Sequence, residues 1–387
     1  MAGAEHQQQP IRATVAGTEL VLLEGGAERL RALVALIDEA ATSVRFLFYM
    51  MNPDAAGEAV RDALVRAARR GVEVKVLLDG FGSDVNAAFF QPLTEAGGAF
   101  ILFHPKLSRR YLLRNHQKMV IVDERKGLTG GANVDLHYLS DRDPQRWRDL
   151  WLQLDGPAMR PLARTFDAVY GWSCRPDGRL RELRHIVRHH SQRRGALQWK
   201  LAGPVARGNP WPRALAREII SGKRLDVISA YFSPPFAMLR RIGRLGRRGQ
   251  VRIVTAARSD NNATIAAARH TYARLLRHGV RMYEYQPAKL HTKLVICDDV
   301  VHIGSSNLDF RSLYMNLEVM LRIEDAGFAR AMRDYFAREL DDCLEITPAI
   351  HRGRAGLLRR LKWTISHWLV TAVDYTVTRR LNFRAEQ

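Results

Sequence analysis

The sequence predicts an α/β protein built from two pseudo-symmetric halves, each with a mixed sheet flanked by helices, that share one active site at their interface. Three observations carry this prediction. Segments with strand, helix and strand patterns follow one another at lengths typical of parallel α/β construction. The same order recurs later in the 387-residue chain. A short polar motif also appears once in each copy, which indicates an internal duplication.

The first copy begins with a short predicted strand at residues 21–23 and a helix at residues 27–41, in which apolar residues recur at helical spacing. Residues 44–51 are almost continuously apolar, which is typical of a strand buried on both faces. A helix at residues 57–70 and a strand at residues 72–78 complete the strand, helix and strand unit.

The second copy repeats this order. It has a predicted strand at residues 227–232, a helix at residues 235–248 and a strand at residues 251–255. A further helix is predicted at residues 326–340, after the second polar motif. Two copies of one unit at equivalent places predict two similar halves packed against each other.

The spacing between equivalent residues changes along the chain. Tyr49 and Tyr231 stand 182 positions apart, whereas His116 and His291 of the polar motifs stand 175 apart, so the first copy carries about seven extra residues at 107–113. A basic and apolar insertion beside a site is a candidate substrate-binding loop, although a neutral surface loop is about as frequent. The candidate substrate-binding residues in it are Arg109, Arg110 and Tyr111.

The charge of the chain predicts attraction to polyanionic surfaces. Sixty Lys and Arg against 40 Asp and Glu give a formal net charge of +20, and both nucleic acid and anionic lipid would be attracted by it. No stretch approaches the ~18 uninterrupted apolar residues of a transmembrane helix, and the polar start does not resemble a secretory signal, so the cytoplasm is the expected compartment. Three scattered cysteines argue against disulfides and a structural zinc site.

Composition also divides the chain into segments. We expect a polar N-terminal segment at residues 1–19, a first half at 20–174, a basic linker at 175–200, a second half at 201–345 and a tail at 346–387. Apolar residues recur at spacings of three and four in the tail, between clusters of basic residues. This pattern fits a helix lying on a membrane surface and equally fits a helix docked on the domain.

The two polar motifs share their residue types and spacing. His116 and Lys118 precede Asp123, as His291 and Lys293 precede Asp298, with four residues between Lys and Asp in both copies. Residues i and i+2 of an extended segment point the same way, so each His and Lys share a face. Glycine-rich turns follow and lead to three candidate phosphate-binding residues, Asn133, Asn307 and Ser305.

The paired motifs resemble the HKD signatures of the phospholipase D superfamily and, within it, bacterial cardiolipin synthases. The resemblance spans about residues 20–345. It includes the segments Trp147-Arg148-Asp149 and Asn316-Leu317-Glu318. The first copy departs from the wider superfamily at Gly131, where a serine is common, and this departure implies one missing hydroxyl donor to phosphate. The transmembrane helices that precede the catalytic region in some members have no counterpart, which implies a peripheral type.

The resemblance implies a two-step phosphatidyl transfer without a metal or other cofactor. One histidine, assigned to His116 by the habit of the family, attacks phosphorus, and His291 protonates the leaving alcohol. Lys118 and Lys293 hold the phosphate oxygens. The implied substrate is the anionic phospholipid phosphatidylglycerol, bound at the cytoplasmic membrane surface.

Four carboxylates accompany these residues. Asp149 and Glu318 follow the two histidines by 33 and 27 residues and are candidates to orient each imidazole. Asp123 and Asp298 belong to the catalytic motifs and are expected to act as structural supports.

Other functions use similar groups. Phospholipid hydrolysis and phosphatidylserine synthesis are alternatives within lipid chemistry. A metal-independent nuclease would suit the net charge, but nucleic acid is not the expected partner, because single-motif nucleases of the superfamily are much shorter and the tail would have no evident role. A non-enzymatic membrane-binding protein is disfavoured by two intact motifs.

Overall fold

The computed structural model describes residues 10–103, 113–205 and 207–372. They form two sheets of eight strands, flanked and separated by helices. None of the helices within these described residues is long and apolar enough to span a membrane.

The first sheet has the spatial order β1-β2-β9-β7-β6-β3-β4-β5. The neighbours β3, β4 and β5 run parallel and the remaining pairs antiparallel, so the sheet is mixed. Its strands are β1 Arg12–Val15, β2 Thr18–Leu23, β3 Ser43–Phe48, β4 Glu73–Asp79, β5 Ala99–Phe103, β6 Met119–Val122, β7 Lys126–Gly130 and β9 Trp151–Asp155, and the short strand β8 Trp147–Arg148 lies outside it.

Helices cover both faces of this sheet. Asp54 caps α2 by accepting hydrogen bonds from the amides of Ala56 and Gly57, which satisfies amides at the first turn. The helices of the first half are α1 Gly26–Asp38, α2 Ala55–Arg69, α3 Gln91–Glu95, α4 Leu136–Leu139 and α5 Met159–Cys174, and α6 Leu180–His189 leads into the second half.

The second sheet has the order β10-β19-β17-β16-β11-β13-β14-β20 and the same parallel centre, here β11, β13 and β14. Its strands are β10 Leu197–Ala202, β11 Arg224–Ser229, β13 Gln250–Ala256, β14 Arg281–Tyr285, β16 Lys293–Cys297, β17 Val300–Gly304, β19 Glu318–Glu324 and β20 Cys343–Ile346, with the short strands β12 Phe232–Ser233, β15 Lys289–Leu290 and β18 Leu308–Asp309 beside it. The predicted duplication is therefore confirmed in the sheet topology.

The helices of the second half follow the same plan, with two more at the C-terminal end. They are α7 Pro210–Ser221, α8 Phe236–Arg248, α9 Asn262–Leu276, α10 Phe310–Tyr314, α11 Ala326–Asp341, α12 Pro348–Arg354 and α13 Leu357–Ala372. The strands and helices predicted from periodicity all form, and their ends agree with the structure within three residues.

The two sheets face each other across a shared central layer. One hydrophobic cluster joins Leu47 and Ile121 of the first sheet, Leu294 of the second, Phe166 of α5 and Phe336 of α11. Separate clusters cover the outer faces, with α1 and α2 on the first sheet and α7, α8 and α9 on the second. The central strands are thus buried on both faces, as their continuous apolar runs predict.

Two expected segments differ in extent. Residues 12–19 of the expected N-terminal segment enter the first sheet, because Ala16 and Gly17, both at positive φ, form a two-residue turn that pairs β1 with β2. Most of the expected linker at 175–200 is also folded. Leu183 and Val187 of α6 are buried in the central cluster, and the linker's last residues begin β10.

Candidate active site

The two motif histidines are held by backbone segments of the opposite half. The His116 amide, just before β6, donates to the carbonyl of Leu317 at 2.9 Å. The His291 amide, just before β16, donates to the carbonyl of Arg148 at 2.8 Å. The parallel pairing of β15 with β8 continues this contact. Each histidine is therefore fixed by the other copy of the repeat.

Each orienting carboxylate also contacts the histidine of the opposite half. Nδ1 of His116 lies 3.0 Å from a Glu318 oxygen, and Nδ1 of His291 lies 2.6 Å from an Asp149 oxygen. Each carboxylate directly follows the residue whose carbonyl binds the histidine amide. Asp149 and Glu318 are placed to orient the imidazoles, but each faces the histidine that is distant in sequence and not the one it follows.

The two motif lysines are buried in the same cluster. Nζ of Lys118 donates to the His116 carbonyl at 2.8 Å, Lys293 donates to the His291 carbonyl, and Nζ of Lys293 lies 3.9 Å from Asp149. Burial lowers the pKa of Lys118 to about 7 and that of Lys293 to about 8. The lowered pKa values mean that the two buried ammonium groups lose their protons easily. A bound anion would stabilise their charged form.

The imidazoles are neutral at neutral pH. Burial and then the neighbouring lysine charges lower the pKa of His291 to about 3, and the same causes hold the pKa of His116 well below its usual value. Nδ1 of His291 faces the ionised carboxylate of Asp149, so Nδ1 carries the proton and the lone pair of the neutral ring lies on Nε2. His291 is thus prepared to act through Nε2 as a base.

The two orienting carboxylates differ in charge. Burial raises the pKa of Glu318 to about 8. Burial also acts to raise the pKa of Asp149, but the charge of Lys293 and the hydrogen bond with His291 outweigh it and lower that pKa. The twofold pattern of the backbone is consequently not matched by a twofold pattern of charge.

Ser305 and Gly131 occupy equivalent turns but serve different carboxylates. The Ser305 hydroxyl donates to Glu318 at 2.5 Å and accepts from the amide of Val319 at 3.1 Å. A Cβ on Gly131 would lie 2.7 Å from Oδ2 of Asp149, so that carboxylate occupies the space of a side chain. The Ser305 hydroxyl thus contacts Glu318, and Gly131 makes room for Asp149. The phosphate contact expected of Ser305 stays a prediction.

The two asparagines lie buried at the ends of the glycine turns. The amide of Tyr231 donates to Oδ1 of Asn307 at 3.3 Å, which leaves the Asn307 amide hydrogens as the donor end. Oδ1 of Asn133 is buried without a hydrogen-bond partner among the described residues. Their predicted role as phosphate ligands remains a prediction.

Aromatic side chains surround the histidines unequally. The Tyr49 ring lies 4.9 Å from that of His116, and its counterpart Tyr231 lies 6.4 Å from that of His291. Tyr138 and Trp147 also contact the His291 ring, at 5.0 and 5.4 Å between centroids. The sequence pattern alone predicts no role for these aromatic residues. The 182-residue spacing of the two tyrosines was the available signal for the first pair.

The motif aspartates lie outside the cluster. Asp123 comes five residues after Lys118, across the strand β6, a separation of about 16 Å in extended chain. Its carboxylate accepts from the amides of residues 41–43 and from the Thr42 hydroxyl. Asp298 accepts from the amides of Lys223 and Arg224 in the same way. These backbone hydrogen bonds are the contacts expected of a structural support, and the inclusion of both aspartates among the catalytic groups stays a prediction.

Other predicted features give less information. Arg109, Arg110 and Tyr111 lie outside the described residues. Among the residues that are described, no group of three or more His, Cys, Asp or Glu side chains is arranged to hold a metal ion. The chemistry available to the cluster is that of two imidazoles, two ammonium groups and two carboxylates.

Comparison with protein families gives one match in each half. The model described as "Cardiolipin synthase, PLD-like domain" matches residues 33–166 and 215–340. Cardiolipin synthase B of Salmonella typhimurium is 30% identical over 364 residues, 90% of this chain and 86% of the relative. Cardiolipin synthase A of Pseudomonas putida is 33% identical over 346 residues, 86% of this chain and 71% of the relative.

Solved structures share the fold. The phosphatidylserine synthase of Haemophilus influenzae superposes with a TM-score of 0.70 at 17% identity, covering 97% of this chain and 94% of that one. The polyphosphate kinase of Porphyromonas gingivalis superposes with a TM-score of 0.58 at 14% identity, covering 87% and 55%. Both similarities extend beyond a single half, so the two-half architecture is shared.

Proposed function

Because this chain belongs to the cardiolipin synthase family of phospholipase D-like phosphatidyltransferases, we propose that it transfers a phosphatidyl group between two phosphatidylglycerol molecules. The glycerol hydroxyl of the second molecule accepts the group. The products are cardiolipin and glycerol. The observation that carries the proposal is the crossed pair of histidines beside two buried lysines. Such a cluster suits one phosphodiester between two imidazoles.

In the first step Nε2 of His116 attacks phosphorus and forms a P–N bond as the P–O bond to the departing glycerol breaks. The departing oxygen takes a proton from Nε2 of His291. Without a bound ligand, His291 is neutral. A phosphodiester anion between the lysines raises the pKa of both imidazoles, so substrate binding favours the required protonation of His291.

In the second step the glycerol hydroxyl of another phosphatidylglycerol gives its proton to His291 and attacks phosphorus, and the P–N bond breaks. Lys118 and Lys293 stabilise the charge on the non-bridging oxygens throughout. Asp149, held ionised, stabilises the imidazolium of His291. This asymmetry supports His116 as the nucleophile and His291 as the acid and base.

The proposed substrate is a membrane lipid. We propose that it acts as a peripheral protein on the cytoplasmic face, where anionic lipid attracts a chain of net charge +20. The lipid headgroup must then reach a buried phosphate site from the bilayer surface.

The test incubates the pure protein with phosphatidylglycerol vesicles and identifies the products. We expect cardiolipin and glycerol, with His116→Ala and His291→Ala each at least about a thousandfold slower. His185→Ala, which alters an exposed histidine on α6, is the control and keeps full activity. Phosphatidic acid without cardiolipin would identify a hydrolase and refute the synthase.

A further inference from the structure

The last described helix, α13, is docked on the second half by one face only. Trp363, Ser366 and Val370 are buried, and Trp363 packs in a small cluster with Ala266 of α9. The rings of His367 and His270 stack at 4.7 Å between centroids. This face is therefore fixed to α9.

The opposite face carries a stripe of large apolar side chains that are exposed to solvent. At 100° per residue, its members fall within about 100° of arc, and the buried residues lie on the other side of the helix. The exposed fractions reach 86% for Leu357 and 60% for Trp368. The apolar stripe consists of Leu357, Leu358, Leu361, Ile365 and Trp368. A contiguous apolar surface of this kind marks a contact with another phase or molecule.

Exposed cations border the apolar stripe on both sides. Arg360 lies about 60° beyond one edge and Lys362 about 40° beyond the other, again at 100° per residue, and both are exposed. Long basic side chains beside an apolar face extend toward lipid headgroups when such a helix lies flat in an interface. In a symmetric dimer across the stripe the same cations would face each other, which disfavours a second copy as the occupant.

The helix begins at the end of the sheet that carries the active site. Trp363 contacts Ala266 and His367 contacts His270, so α13 runs parallel to α9. Asp260, just before α9, accepts from the hydroxyl of Tyr231, whose ring faces His291. α13 also contacts β12, which follows Tyr231. The first turns of the apolar stripe thus lie on the active-site side of the molecule.

We propose that the apolar stripe of α13 is the surface by which this protein inserts into the headgroup region of a bilayer containing anionic lipid. The choice of lipid as occupant rests on the phosphatidyl transfer proposed above. The insertion brings the active-site end of the second sheet toward the membrane, so a headgroup reaches the histidines without the lipid leaving the bilayer.

The experiment uses the full chain and a triple variant of the stripe, Leu358→Ser, Leu361→Ser and Ile365→Ser. Flotation on phosphatidylglycerol vesicles measures binding independently of turnover. We expect the triple variant to bind at least about tenfold more weakly, because three apolar side chains no longer enter the bilayer. The matched control, Ile220→Ser with Leu344→Ser, removes exposed apolar side chains from α7 and β20 and binds like the unaltered protein.

Activity separates this inference from the proposed function. With phosphatidylglycerol dispersed in detergent, the triple variant should form cardiolipin at the rate of the unaltered protein, while its rate on vesicles falls with its binding. If the unaltered protein forms no cardiolipin in either assay, the proposed function is refuted. The flotation result would still show whether the apolar stripe binds vesicles. Equal flotation of the triple variant and the unaltered protein would overturn the inference. The inference would also fail if light scattering showed a dimer for the unaltered protein and a monomer for the triple variant, with no loss of vesicle binding.

Discussion

At the scale of single residues, the proposed function depends on the charge of the two buried lysines. Lys118 and Lys293 lose their protons near pH 7 to 8 because burial disfavours the ammonium form. A phosphodiester bound between them, as proposed above, would restore that form by supplying the opposite charge. Anion binding and lysine protonation are consequently linked.

This linkage predicts a pH dependence for a phosphate diester. Both lysines are charged below their lowered pKa values and lose that charge as pH rises through them, so affinity falls with pH. Calorimetric titration with diethyl phosphate, which stays singly charged, should give a dissociation constant at least about tenfold higher at pH 9 than at pH 6. Lys118→Gln should weaken binding at pH 6, whereas Lys75→Gln on the surface of β4 should not. A dissociation constant independent of pH would contradict the lowered pKa values.

The absence of a side chain at Gly131 also determines where the Asp149 carboxylate lies. Gly131→Ala places a methyl group against the Asp149 carboxylate, which must shift from its present position beside Nδ1 of His291. We expect kcat to fall at least about tenfold while the fold persists. Gly171→Ala is the control, since a Cβ there, in α5, meets nothing within 4 Å. Equal kcat values for the two variants would show that Asp149 tolerates displacement.

At the scale of elements, the motif aspartates hold the ends of neighbouring strands together by hydrogen bonds. Asp123 adopts φ of +51° after β6 and accepts hydrogen bonds from the amides of residues 41–43, at the start of β3. These two strands pair antiparallel, so the carboxylate closes their shared end. Burial acts to raise the pKa of Asp123, but these hydrogen bonds outweigh it and the pKa is lowered.

Asp123→Asn should therefore affect stability and not chemistry. Asparagine tolerates the positive φ but lacks the charge and one acceptor oxygen, and we expect a loss of about 1 kcal/mol in unfolding free energy at pH 7. Because the folded-state pKa is lowered, the contribution is present above the unfolded pKa of about 4 and vanishes as pH falls through the folded value. Urea unfolding measures it, with Asp62→Asn, at an exposed position of α2, as the control. A large loss of kcat without a loss of stability would return Asp123 to the catalytic groups.

At the scale of the whole molecule, the halves are joined by a common core and by ion pairs. Arg148, whose carbonyl binds the His291 amide, donates to Glu339 of α11 at 2.5 Å and to Glu24 at 3.0 Å. Glu339 is buried, and α11 packs in the same central cluster as α5. The contact between the halves is thus the part of the molecule that positions the two motif histidines.

The shared layer predicts one cooperative unfolding transition. Calorimetry should show a single transition for the unaltered protein, because neither sheet keeps its inner face covered without the other. Glu339→Gln should lower the unfolding free energy by about 2 kcal/mol and reduce activity through His291, since it removes a buried partner of Arg148. Glu345→Gln, in an exposed pair with Arg281, should cost less than about 0.5 kcal/mol. Two separate transitions would show that the halves unfold independently.

Much of this molecule could be predicted from its sequence. Continuous apolar runs identified the central strands, and the repeated order with its change in spacing identified the two halves. His116, Lys118, His291 and Lys293 were identified because a motif occurring twice at equal spacing is rare by chance. The polar start predicts a segment separate from the fold, because β1 is too short to show a clear alternation.

The sequence by itself determined the residues of the cluster and the repeat that carries them, since both depend on residue type and spacing along the chain. Only the tertiary structure decided that Asp149 serves His291 and Glu318 serves His116, because packing of one half on the other, and not distance in sequence, sets those contacts. It also decided that Ser305 positions a carboxylate and that the apolar stripe of α13 faces outward, since each depends on which neighbour occupies the adjoining space.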